Sequence, residues 1–533
     1  MSRQPNILLV MADQLAAQAL SIYGNAVCKT PNLERLAAQG AVFTNNYSNN
    51  PLCVPSRASM LTGRLSPDIG VYDNANEIAS SLPTMAHFMR AQGYQTFLCG
   101  KMHFIGPDQL HGFEERLTTD VYPADFQWIA DWSAGPAFVP SGTALNGVVE
   151  AGPCIRTMQE DYDDDVAFQA SRKIYDLARS DKKKPFFGVV SFTSPHTPFN
   201  VSQRYWDLYD HNDIDLPAVS EIPFAALDYF SKALFFAHGR HRHSVTKDHL
   251  LNARHAYYAM ISYLDEKLGH MLDQLDETGL RDDTIVIFTS DHGEMMGERG
   301  MWFKQCFWEW SARVPLVISD GRAAKNIRID ANSSLVDLLP TFIDFGGQDT
   351  ALLRPAIAEL AGHSLMPLLT GDASTAADYV IADYLAIGPC VPCRMVKKGP
   401  YKYIFTHGHP DLLFDLEADP DERVNLAEDA SNAPILAALR KIGMDGYDPD
   451  MLMTKIVASQ RRRSFIAKVP GQKPDWDYVA FQGDAERYVR RDGVDATKSR
   501  LRLPHAATIP PDLPELSSTM IDCIMRGEID FQK

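Results

Sequence analysis

Four short apolar runs, at residues 6–11, 95–99, 186–192 and 284–289, each stop on polar residues that can do chemistry. Asp13 follows the first, Lys101 and His103 the second, His196 the third, and Asp291 with His292 the fourth. Between them lie stretches with helical spacing. Residues 82–91 read as a helix stopped near Gly93, and Thr30-Pro31 read as the N-cap and first residue of another that ends at Gly40. Leu250, Ala253, Tyr257, Ile261, Leu264, Leu268, Met271 and Leu275 mark a third, ending at Gly279. Alternating strands and helices predict an α/β fold with a mostly parallel sheet between helices. Ligands of such sheets bind beyond the carboxyl ends of the strands. The polar residues released there are therefore expected to meet in one site.

The chain has 533 residues, enough for more than one domain. We expect a catalytic α/β domain over 1–382 and a smaller α+β subdomain over 383–464. In the latter, 401–405 and 412–416 read as antiparallel strands around the 407–411 turn, with one helix before Met444. Residues 465–533 are rich in Arg, Asp and Pro and only weakly periodic. They are expected to form a tail that wraps another surface or a partner subunit and lines the pocket.

Lys plus Arg number 51 against 68 Asp plus Glu, a net charge of −17. Such a surface repels phosphate backbones, which argues against a nucleic-acid partner. No run reaches the ~18 apolar residues of a membrane span. The apolar run at 7–11 is too short for the core of a signal peptide. Eight scattered cysteines fit a reducing compartment, so we expect a cytoplasmic protein.

The sharpest local signal is Cys53-Val54-Pro55-Ser56-Arg57, followed by Leu61-Thr62-Gly63-Arg64. Pro55 suits the start of a helix ending near Gly63. Cys53 would then face that helix's N-terminus, where backbone N–H groups and the dipole favour anions, and Arg57 adds a fixed charge one turn on. This motif resembles the signature of the type I sulfatases of the alkaline phosphatase superfamily. Val71-Tyr72-Asp73-Asn74-Ala75, Gly100-Lys101-Met102-His103-Phe104 and Ile261-Ser262-Tyr263-Leu264-Asp265-Glu266-Lys267 are similar to the choline sulfatase branch of that family.

The resemblance implies hydrolysis of a small sulfate ester, choline sulfate-like or aryl. Its nucleophile would be formylglycine made from Cys53 by a maturation enzyme, beside one divalent metal. Asp13, Gln14, Asp291 and His292 are the implied ligands; their oxygens suit Ca²⁺, with Mn²⁺ the alternative. Gln14 stands where many relatives carry a second aspartate. Lys101 and Lys304 would bind sulfate oxygens, Arg57 and His103 would hold the nucleophile, and His196 would serve the leaving oxygen. Asn74 is implied at the sulfate, with Trp128, Asn146 and Asp484 around the alcohol. A homo-oligomer, dimer or tetramer, is also implied. Two alternatives stay open: a phosphonate monoester or phosphate diester hydrolase on the same scaffold, and an inactive binding protein. Cys390-Val391-Pro392-Cys393 reads as structural, and the basic run 238–243 as an exposed loop.

Overall fold

The computed structural model describes residues 4–140, 145–180, 184–321, 325–347, 352–372, 378–471, 475–490, 502–505 and 507–531. Among these, eight strands form the main sheet. They are β1 (Asn6–Ala12), β2 (Ala41–Tyr47), β3 (Gln95–Gly100), β4 (Glu115–Arg116), β5 (Phe186–Ser191), β6 (Thr284–Ser290), β7 (Leu316–Ser319) and β8 (Ile327–Ser334). Their order across the sheet is β8-β2-β7-β6-β1-β5-β3-β4. Only β7 runs antiparallel to its neighbours, so the sheet is mostly parallel as expected. All residues of β1, β5 and β6 are buried, the pattern of strands enclosed on both faces.

Register decides where the chemistry goes. Ala12 pairs with Ser290, Met11 with Ser191, and Ser191 with Gly100. The carboxyl ends of β1, β3, β5 and β6 therefore lie in one row. Gly100 is required there: its φ is +98°, and a Cβ would lie 1.9 Å from the carbonyl oxygen of Ser191.

The helices that position the site are α1 (Pro31–Ala38), α2 (Cys53–Thr62), α3 (Met85–Ala91), α4 (Met158–Arg179) and α5 (Lys247–Glu277). The N-terminus of α1 is satisfied not by Thr30 but by Asp265 of α5, which accepts from Asn32 and Leu33 N–H at 3.0 and 2.8 Å. Helix α3 starts three residues later than residue 82. Pro83 disfavours helical backbone at Leu82, and Thr84 and His87 cap each other reciprocally. On α5, the Tyr257 hydroxyl accepts from Ala16 N–H (3.0 Å) and donates to Gln14 O (2.7 Å), clamping the loop after β1.

Towards the C-terminus, β9 (Tyr379–Tyr384), β10 (Cys393–Lys398), β11 (Tyr401–Thr406) and β12 (Leu412–Asp415) form an antiparallel sheet in that order. Helices α6 (Ala433–Met444) and α7 (Pro449–Lys468) follow. The spacing found β11 and β12 but not β9 or β10. The reason is buried charge: Arg394 on β10 makes a two-pronged pair with Asp383 on β9, at 2.8 and 3.0 Å. Such pairs break the apolar pattern while satisfying the interior.

The described parts of the tail lie on the chain's own surface. Arg502–Leu503 pairs with Arg156–Thr157, and Ile521 and Ile524 pack with Phe224, Phe235 and Phe236. The run 238–243 is not the exposed loop expected from its charge. His238, Arg240, His241 and His243 are buried, with His238 Nε2 2.6 Å from Gln305 Oε1 and Arg240 paired to Glu221 at 2.5 Å. Partners compensate charge that composition alone assigns to solvent. Among the described residues no helix is long and apolar enough to cross a membrane.

Candidate active site

Helix α2 begins at Cys53, two residues before Pro55, with extended Leu52 as its N-cap. Pro55 is tolerated there because the first four N–H groups of a helix have no intrahelical partner. The N–H of Val54 is satisfied by Asn74 Oδ1 at 3.1 Å. Ser56 Oγ donates to Asp291 O at 2.6 Å, tying α2 to the end of β6. The loop bearing Asn74 is anchored by Asp73, which takes both Nη atoms of Arg463 on α7 at 2.7 and 2.9 Å. Both partners are buried. Arg463→Met leaves the Asp73 carboxylate buried and unpaired and is expected to cost about 3–5 kcal/mol of stability, read by urea denaturation.

The row of strand ends delivers its residues to Cys53. Its Sγ lies 3.1 Å from His292 Nε2 and 3.9 Å from Asp13 Oδ1. His292 Nε2 is 3.7 Å from both Asp13 Oδ1 and Asp291 Oδ2. One donor atom from each of Asp13, Cys53, Asp291 and His292 falls within 4.8 Å of all the others, the one such group among the described residues. Ligands on a common Ca²⁺ sit at about 2.3–2.6 Å from it, so two of them are at most roughly 5 Å apart. The set passes that test. His292 Nδ1 faces Gly293 O at 3.1 Å, an acceptor only, so Nδ1 carries the proton. That turns the Nε2 lone pair into the cluster. Burial holds His292 down to about 4, against the pull of Asp291, so it is neutral near pH 7 and able to bind a cation.

Four basic side chains ring the cluster. Arg57 donates Nε to Asp291 Oδ2 (2.8 Å) and Nη1 to Lys101 O (2.8 Å) and Ser191 Oγ (2.9 Å). Lys101 Nζ pairs with Asp13. Lys304 Nζ bonds Gln14 Oε1 and lies 2.8 Å from His196 Nε2. His196 Nδ1 faces Thr197 O at 2.6 Å and so carries the proton, leaving Nε2 to accept from Lys304. Burial and then Lys304 push His196 well below its ordinary pKa. Burial works to raise the Asp13 carboxyl, but Lys101 and Arg57 outweigh it and hold it well below the usual range. Burial pushes the Cys53 thiol up to about 11, although Lys101 and Lys304 pull it down. As an unmodified thiol it is protonated at neutral pH.

Backbone strain sits at the same place. Gln14 and His103 have φ of 68° and 62°, rare for residues with a Cβ. Gln14 N–H is held by Asp291 Oδ1 at 3.1 Å and His103 N–H by Asp120 Oδ2 at 2.9 Å.

The sulfatase family profile matches residues 5–347, a span that holds the whole cluster and the basic side chains around it. The chain belongs to the sulfatase family. It is a sulfuric ester hydrolase, and its fold is that of the alkaline-phosphatase-like sulfatases. A further profile, the C-terminal region of N-sulphoglucosamine sulphohydrolase, matches 297–444. A choline-sulfatase of Rhizobium meliloti (strain 1021) is 40% identical over 512 residues, covering 94% of this chain and 99% of that protein. An arylsulfatase of Clostridium perfringens (strain 13 / Type A) is 30% identical over 477 residues, covering 82% and 93%. The crystal structure of a phosphonate monoester hydrolase of Agrobacterium radiobacter superposes with a TM-score of 0.65 at 25% identity, covering 86% of this chain and 96% of that one. Sulfatases of this family in general carry formylglycine and a divalent metal.

Beside the cluster this sulfatase builds an aromatic corner. Tyr122 stacks on His103 with ring centres 4.3 Å apart, and Trp128 meets both edge-on, at 5.0 Å from Tyr122 and 5.6 Å from His103. Trp128 Nε1 and both ring nitrogens of His103 are buried without a hydrogen-bond partner. Burial, then Lys101, push His103 well below its ordinary pKa. The other two residues expected around the alcohol each have protein partners. Asn146 donates to Ile509 O (2.7 Å) and Glu150 Oε1 (3.3 Å), and Asp484 accepts from Thr119 Oγ1 at 2.6 Å. Residues 141–144 lie outside the described residues.

Three members of this sulfatase's site went unread in the sequence. Glu294 accepts from Gln14 Nε2 and, through Oε1, from Phe303 N–H at 2.6 Å. Its carboxyl is raised to about 7 by burial. Ser191 and Tyr122 are the others. Glu294 had a local signal, two residues after His292; Ser191 and Tyr122 act through contacts distant in sequence.

Proposed function

We propose that this sulfatase hydrolyses a small, choline sulfate-like ester. The observation that carries the reading is the aromatic corner of Trp128, Tyr122 and His103 beside the ring of Arg57, Lys101 and Lys304. Aromatic faces suit an alcohol that bears a permanent cation and cannot hydrogen-bond. The 40% identity to a choline-sulfatase over nearly the whole chain supports it. The basic ring suits the sulfate, since preorganised charge around a growing anion is commonly the largest catalytic contribution.

In this reading Cys53 is converted by a maturation enzyme, and formylglycine supplies a hydrated aldehyde as nucleophile. A divalent cation, Ca²⁺ before Mn²⁺ on the hardness of the carboxylate oxygens, supplies Lewis acidity. Asp13, Asp291 and His292 are assigned as its ligands. Gln14 joins them on turning its oxygen from Lys304. Lys101 and Lys304 hold sulfate oxygens, Asn74 fixes the first turn of α2, and Arg57 orients Asp291 and the nucleophile. His196, neutral with its proton on Nδ1, serves the leaving oxygen by aiming the Lys304 ammonium. All eight cysteines are free, which supports a cytoplasmic setting.

The test is parallel turnover of choline sulfate, an aryl sulfate and an aryl phosphonate monoester by the converted, metal-loaded enzyme. Choline sulfate is expected to have the highest kcat/KM, by roughly tenfold or more, the size of one good desolvated cation–π contact. A faster aryl sulfate would replace the choline assignment. A faster phosphonate would overturn the sulfate ester as the preferred substrate.

A further inference from the structure

The C-terminal segment 475–490 forms a strap over residues 116–126. Tyr478 Oη donates to Arg116 O at 2.7 Å, Ala480 N–H to Thr119 Oγ1 at 2.8 Å, and Ala124 N–H to Asp477 Oδ1 at 2.8 Å. The strap closes at Arg490, whose own N–H donates to Val121 O at 3.1 Å. Its side chain, 2% exposed, then reaches the aromatic corner. Nη1 donates to the Tyr122 hydroxyl at 3.1 Å, and the guanidinium carbon stands 5.1 Å from the centre of the Tyr122 ring. The same ring lies 4.4 Å from Lys101 Nζ and stacks on His103.

We propose that Arg490 is a positioning residue for sulfate-ester cleavage: it fixes Tyr122, and through Tyr122 it fixes Lys101 and His103. Three observations carry this. The backbone bond from Arg490 to Val121, with Asp477, Tyr478 and Ala480, already holds the strap down, so the side chain is not needed for attachment. An apolar side chain would pack in the same place without the desolvation cost of a guanidinium. The guanidinium grips Tyr122 at its hydroxyl tip and lies near its ring, which restricts both side-chain torsions. His103 has no hydrogen bond to its ring nitrogens, so stacking on Tyr122 is what orients it. The inference rests on sulfate-ester hydrolysis and is independent of which alcohol leaves.

The experiment uses full-length, converted, metal-loaded enzyme and an aryl sulfate as probe. Arg490→Met is expected to lower kcat roughly ten- to a hundredfold, the cost of a misplaced catalytic group, with KM changed far less and melting temperature nearly unchanged. Arg490→Lys, which keeps a cation and a donor, should recover most of that loss. Tyr122→Phe should lower kcat in the same way, and either Arg490 change should cost little more in the Tyr122→Phe background, because the two act as one unit. Additive losses, or an Arg490→Met enzyme with kcat within about twofold of wild type, would overturn the proposal. If Arg490→Met does not fold, Arg490→Lys with and without Tyr122→Phe decides by the same criterion. Wild-type turnover in the same assay separates failure of this inference from failure of the sulfatase reading.

Discussion

Alanine at position 53 is expected to abolish sulfate-ester hydrolysis, lowering kcat roughly 10⁵-fold or more while leaving the protein folded. Cys53 stands at the first turn of α2, and its Sγ points at His292 Nε2 and Asp13. The hydroxyls nearest in the network are already engaged, Ser56 with Asp291 O and Ser191 with Arg57. Neither is free to replace it. The side chain removed is small and buried, so its loss costs on the order of 1 kcal/mol of stability. Turnover of an aryl sulfate and a thermal melt together check this. Mass spectrometry of the residue-53 peptide adds a second line. Wild-type activity should rise in proportion to the fraction of chains in which an aldehyde has replaced the thiol. An alanine variant as active as wild type would exclude this residue as nucleophile, and equal inactivity of both would favour the binding-protein alternative.

Asp13→Asn is the second large effect. The change keeps the shape and removes one negative charge from a fully buried position. Lys101 then loses its carboxylate partner, and Arg57 loses the charge 3.9 Å from its Nη2. Two kinds of stabilisation fail together: the cation holding of the cluster and the placing of Lys101. We expect kcat/KM to fall roughly 10³-fold or more, with bound metal well below one per chain by elemental analysis. Excess Ca²⁺ should restore only part of the activity, since it cannot replace the Asp13–Lys101 pair. An Asp13→Asn enzyme that keeps stoichiometric metal and near wild-type rates would remove Asp13 from the ligand set.

The residues that could be read directly were those whose meaning is local. Asp13, Lys101 and Asp291 each follow an apolar run, and the end of a strand in a parallel sheet is where chemistry collects. Cys53 and Arg57 are one helical turn apart, so their common face follows from helix geometry. The small sheet was half legible. The strands β11 and β12 are dominated by apolar and aromatic residues, whereas β9 and β10 share a buried ion pair that looks like surface. The same misreading explains the run 238–243, where Arg240 pairs with Glu221 and His238 hydrogen-bonds Gln305 from other parts of the chain. Asn146 and Asp484 were implied at the alcohol by the family resemblance; in the fold Asn146 donates to Ile509 O and Asp484 accepts from Thr119 Oγ1.

The amino-acid sequence by itself determined the α/β architecture, the strand ends that carry the acidic and basic residues, and the helix that starts beside Cys53. These follow from periodicity and from the backbone rules of turns and helix termini. Tertiary structure alone decided the register that brings Ala12, Gly100, Ser191 and Ser290 into one row. It also decided which ring nitrogen of His196 and His292 bears the proton, and the contact of Arg490 with Tyr122, 368 residues away. The physical reason is that burial and pairing set the energy of each charge, and partners far along the chain supply both.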